Sequence, residues 1–112
     1  MFSIKDLSVP EKLTEGDTFS VKGTVKSEYN IKSIKIGVCD TEGNWLSGHY
    51  TTRKPAKKTY SLANAGSSMK FSTLTPGKYC FTVQATDSNK STETILKNEF
   101  TVVKKPSKIT VS

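Results

Sequence analysis

The chain has little of what catalysis or metal binding requires. It carries one histidine, His49, and two cysteines, Cys39 and Cys80, in 112 residues. That is too few for a tetrahedral zinc site without carboxylates. Asp40-x-Glu42-x-Asn44 faintly echoes an oxygen-rich calcium loop. Its glycine stands in the wrong place, however, and no bidentate glutamate follows at the required spacing. A turn that prefers Asp, Gly and Asn accounts for it better, and neither a metal nor a cofactor is expected. No serine elbow or Cys–His pairing is readable around His49. The acidic residues sit in turns such as Glu15-Gly16-Asp17 and Asp40-Thr41-Glu42, not as the facing pair of a glycosidase. No catalytic residue is assigned and no enzyme activity is expected.

Long apolar runs are also missing. None approaches the ~20 residues of a membrane-spanning helix, so membrane insertion is not expected. Met1-Phe2-Ser3-Ile4-Lys5-Asp6 lacks the basic and apolar regions of a secretory leader. Met1 therefore reads as a start placed on a piece of a longer protein. Acidic residues are outnumbered, with Asp plus Glu at 10 against Lys plus Arg at 17, giving a net charge of +7. The lysines are scattered, apart from Arg53-Lys54 with Lys57-Lys58, and Lys104-Lys105. Scattered lysine suits solvated faces and blunted strand edges. With no aromatic–basic platform, nucleic acid is not an expected partner.

What is present is period-two alternation. After the turn at Pro76-Gly77, Tyr79, Phe81, Val83 and Ala85 share one parity, and Cys80, Thr82, Gln84 and Thr86 the other. This is a half-buried antiparallel strand. Strands are expected over 2–9, 17–27, 31–40, 45–52, 59–62, 69–74, 77–87 and 94–103. Turns are expected at 11–16 and 41–44, with a basic loop at 53–58 and a flexible loop at 63–68. The predicted core is Phe19, Val21, Val25, Ile34, Ile36, Val38, Phe71, Tyr79, Phe81, Val83, Ala85, Phe100 and Val102. A tyrosine just past the turn into such a strand matches the tyrosine corner of immunoglobulin-like sandwiches, its hydroxyl bonded to nearby backbone. The fold class is thus all-β, an immunoglobulin-like β-sandwich of about seven antiparallel strands. It occupies residues 1–104, with 105–112 a linker and the start of a following segment.

Several segments carry a family resemblance. They are Leu13-Thr14-Glu15-Gly16-Asp17-Thr18-Phe19 running on to Ser27, Ile34-Lys35-Ile36-Gly37-Val38-x-Asp40-x-x-Gly43, Phe71 to Tyr79, Val83 to Asp87, and Phe100-Thr101-Val102. Together they resemble an immunoglobulin-like, fibronectin-III-like module recurring in secreted Gram-positive cell-wall hydrolases and surface proteins. The resemblance implies a secreted or cell-surface setting, frequent tandem arrangement, and an attached catalytic domain in the same chain. The two cysteines depart from that pattern.

Cys39 and Cys80 fall on the outward parity of two strands expected to be antiparallel neighbours, near ends that pairing brings together. A disulfide between them is feasible, and two free thiols are the alternative. Trp45, His49 and Tyr50, with Lys54, Lys57 and Lys58 nearby, are the candidate ligand-binding residues. Exposed aromatic rings could stack on sugars, or Trp45 could cover one end of the sandwich. The primary expectation is a monomeric, non-catalytic module that spaces or presents an attached enzyme at the cell wall. The alternatives are a module binding cell-wall glycan or anionic wall polymer through these residues, and an adhesion module for a host protein.

Overall fold

The computed structural model describes residues 2–105, and for Gly66, Ser67 and Ser68 the backbone alone. The linker and following segment expected beyond Lys105 lie outside the described residues. Eight strands are found among the described residues: β1 (Phe2–Ser8), β2 (Lys12–Thr14), β3 (Lys22–Ser27), β4 (Ile31–Cys39), β5 (Trp45–Arg53), β6 (Thr59–Ser61), β7 (Gly77–Asp87) and β8 (Thr92–Val103). They form two sheets, ordered β1-β3-β6 and β2-β8-β7-β4-β5. The architecture is an all-β sandwich.

Alternating apolar residues explain both the strands and the seam between the sheets. Val25 from the small sheet and Ile34, Ile36, Val38, Phe81, Val83, Ala85, Phe100 and Val102 from the large one are all buried. Phe71 sits among the aromatic rings, edge-on to Phe19 at 6.1 Å and to Phe100 at 5.8 Å, and tilted against Phe81 at 6.4 Å. Tyr79 stacks on Phe100 at 5.7 Å. Its hydroxyl donates to the Thr75 carbonyl at 2.5 Å, with Thr75 Oγ1 at 3.1 Å. This is the expected corner, although the Tyr79 ring is half-buried.

Two hairpins are closed by aspartates. Asp40 Oδ1 accepts from the Glu42 and Asn44 backbone N–H groups, each at 2.9 Å, between β4 and β5. Asp87 Oδ1 accepts from Asn89 and Ser91 at 2.9 and 3.0 Å, between β7 and β8. A short side chain that bonds its own turn explains why Asp occupies both places.

Four expectations are corrected. The segment 11–16 is not wholly a turn: Lys12–Thr14 pairs in parallel with Thr101–Val103 and makes the eighth strand. Phe19 and Val21 face the core, but the ladder of β3 begins only at Lys22. The expected loop at 63–68 belongs to a 3-10 segment, Leu62–Ser68, whose three-residue period carries Leu62 and Ala65 into the core together. The strand expected over 69–74 is a 3-10 turn at Phe71–Thr73. Lys70, in the left-handed region at φ 46°, breaks the extended path there.

Candidate functional site

Two of the candidate residues, Trp45 and Tyr50, meet on the outward face of the five-stranded sheet, where β5 is an edge strand. Trp45 and Tyr50 are five positions apart, so a regular strand would point them to opposite faces. The ladder is not regular. Gly37 is opposite Tyr50, yet Cys39 is opposite Trp45, so one residue of β4 faces four of β5. Leu46, Ser47, Gly48 and His49 form a wide bulge, with Gly48 at φ +82°. The odd number of extra residues restores a common face. The Trp45 and Tyr50 rings come within 5.5 Å of each other, tilted by 55°.

Gly37 makes the cluster possible. A Cβ there would lie closer than 3.0 Å to Tyr50 and to the His49 carbonyl. The missing side chain is the space Tyr50 occupies. Lys35, two residues earlier on the same face, places Nζ 4.6 Å from the centroids of both rings. An ammonium over two aromatic faces is a cation–π clamp. Trp45 is half-buried and Tyr50 is 38% exposed.

Cys39 lies between Trp45 on one side and Cys80 on the other, directly opposite each in the ladders. Both thiols are free and buried, at 2% and 5% exposure on a face that would ordinarily be wet. Burial pushes the Cys39 thiol above its ordinary range, Cys80 and Asp40 reinforce this, and Thr82 and Lys35 oppose it. The Thr82 side chain beside them is buried as well. A dimple of about 160 Å³ opens here, lined by Cys39, Trp45, Thr82, Gln84, Thr94 and Lys97 among others.

The remaining candidates are not in this cluster. His49 leaves in the bulge, with Nε2 2.8 Å from Thr73 Oγ1 and Nδ1 3.1 Å from the Ser47 carbonyl. It ties the bulge to the 3-10 turn. Lys54, Lys57 and Lys58 are exposed in the loop after β5. That loop is fixed by the bonds Ile31 N–H to Lys57 C=O at 2.7 Å and Ser27 N–H to Lys58 C=O at 2.8 Å. Arg53 pairs with Ile34 and Trp45 with Cys39, so the basic loop starts about 17 Å along β4 from Trp45. The cation over the aromatics is Lys35, which residue reading did not single out. Gly48 inside a strand pattern was the one available signal for the bulge.

Among the described residues, no group of three or more His, Cys, Asp or Glu is placed to hold a metal ion. Asp40 is engaged by its own turn, and its carboxyl is lowered chiefly by the Asn44 backbone N–H, with the Asn44 side chain and the Glu42 and Gly43 N–H groups adding.

No family model matches the chain. No curated protein matches it either. Among solved structures it is similar to CopC from Methylosinus trichosporium OB3b, with a TM-score of 0.52 and 13% identity over 96% of this chain and 98% of that one. The likeness shows the sandwich fold.

Proposed function

We propose that this chain is a non-catalytic accessory module of a secreted or surface protein, spacing or presenting an attached domain at a cell wall. The observation that carries this reading is the closed state of the aromatic face. Lys35 covers both rings, and the rings are tilted by 55° instead of forming one plane. A sugar-stacking platform needs an open aromatic face, whereas this cluster satisfies itself and shields the sheet beneath. The sequence resemblance to accessory modules of wall hydrolases supports the same role. In a fusion to a wall-hydrolase catalytic domain, removing the module should reduce activity on intact walls and leave the rate on soluble fragments unchanged. An equal loss on both substrates would count against spacing.

One observation favours a second reading, glycan binding. The dimple beside Trp45 gathers the polar side chains of Thr82, Gln84, Thr94 and Lys97, and a single sugar unit would meet hydroxyl, amide and ammonium partners there. Under that reading, soluble wall glycan would alter Trp45 emission saturably, and Trp45→Ala would abolish binding.

A further inference from the structure

We propose that Cys39 and Cys80 are a cross-strand disulfide site, closed by thiol–disulfide exchange with a disulfide oxidant and gated by Trp45. The register fixes the pair: Cys39 is opposite Cys80, in a run that continues without a shift from Ser33↔Thr86. The type of pair follows from the adjacent turn. Asp40 turns its N–H to the Asn44 carbonyl at 2.9 Å, toward β5. Alternation along the strand then turns the Cys39 N–H and C=O toward β7, making Cys39 and Cys80 a hydrogen-bonded pair with Cα atoms ~5.5 Å apart. That separation lies within the range a disulfide spans. Both side chains project from the same outward face; a wide pair holds its Cβ atoms about 5.5 Å apart and a disulfide about 3.5–4.5 Å, so the two strands draw together locally as the bond closes.

The reaction balances as two exchanges. One cysteine, as thiolate, attacks the oxidant's S–S bond, forming a mixed disulfide and releasing one oxidant thiol. The second cysteine, also as thiolate, attacks the sulfur of the first and releases the second oxidant thiol. Two protein thiols and one oxidant disulfide become one protein disulfide and two oxidant thiols. Trp45 controls access because it is the β5 residue set against Cys39, and the dimple touching Cys39 is walled by its ring. Near-complete burial makes both thiols slow to react while Trp45 stays in place.

The test uses the full chain, unfolded and refolded in a glutathione redox buffer, and separately held native in oxidised glutathione. Refolding should yield a monomer lighter by two hydrogens, with one peptide cross-link joining Cys39 to Cys80. Its melting temperature should rise by roughly 10 °C, because closing a long loop of chain outweighs the strain of bridging a wide pair. Native wild-type protein should oxidise slowly, and Trp45→Ala at least tenfold faster. The Cys39→Ser/Cys80→Ser variant should melt at the same temperature with and without oxidant. Thiols that stay reduced after refolding, glutathione adducts without the internal bond, or disulfide-linked dimers would overturn the site. Equal native rates for wild type and Trp45→Ala would overturn the gating.

Discussion

Gly37→Ala places one methyl group where two strands leave no room for it. The added Cβ would sit closer than 3.0 Å to the Tyr50 Cα and Cβ and to the His49 carbonyl oxygen. Two of these three atoms are backbone, so no rotamer change relieves the clash, and β5 has to move away from β4. The ladder contacts at Gly37↔Tyr50 and Ile36↔Thr51 are the first to loosen. Two or so ladder hydrogen bonds at about 1 kcal/mol each, with about 0.5–1 kcal/mol for the Lys35 clamp, give a loss of about 3 kcal/mol. For a domain this size that lowers the melting temperature by about 10 °C. Urea denaturation followed by fluorescence reads it directly, because Trp45 is the only tryptophan. The native emission should also shift to the red as Trp45 leaves Cys39 and Tyr50. Gly48→Ala is the comparison: nothing lies within 4 Å of its added Cβ, and only φ +82° opposes it. It should cost about 1–2 kcal/mol. A Gly37→Ala protein with unchanged midpoint and emission would refute the close approach and the aromatic cluster built on it.

Phe71→Ala removes the ring that Phe19, Phe81 and Phe100 surround, and should cost about 3–5 kcal/mol by chemical denaturation. An unmoved midpoint would contradict its central place. Tyr79→Phe keeps the stack on Phe100 and loses the bond to the Thr75 carbonyl. About 1 kcal/mol is expected, and a neutral result would leave the corner without energetic weight. The Asp40 carboxyl is held below its ordinary value of 3.8 by bonds made only in the folded hairpin. Its stabilising contribution is therefore complete above that value and falls away as pH drops below it. Asp40→Asn should flatten the acid limb of a stability–pH curve, and an unchanged slope would show that Asp40 does not contribute.

The parts of the fold legible in the sequence are those where local pattern and tertiary pairing agree. Tyr79 to Ala85 alternates without interruption, and that run became the longest part of β7. The Asp40–Asn44 turn was readable because aspartate bonds its own backbone whatever surrounds it. β2 was not readable, since three residues have no period and their partner is the distant parallel run Thr101–Val103. Phe71 reads as core from its parity on an expected strand; it is buried, but on a 3-10 turn instead, because Lys70 adopts a left-handed conformation. At the candidate site, Trp45 and Tyr50 could be named as a pair, yet their shared face depends on a bulge that sequence parity alone would have ruled out. Lys35 looked like one more solvated lysine until β5 was laid beside it.

The most direct test of the account titrates the isolated chain with soluble cell-wall glycan fragments at low and high salt, following binding heat by calorimetry in wild type and Trp45→Ala and, in wild type, Trp45 emission as well. A module whose aromatic face is closed by Lys35 should show no saturable change at either salt concentration, and Trp45→Ala should retain whatever weak, salt-sensitive attraction the lysines give. Saturable, salt-resistant binding that disappears in Trp45→Ala would contradict the spacer reading and make the outward face a glycan site.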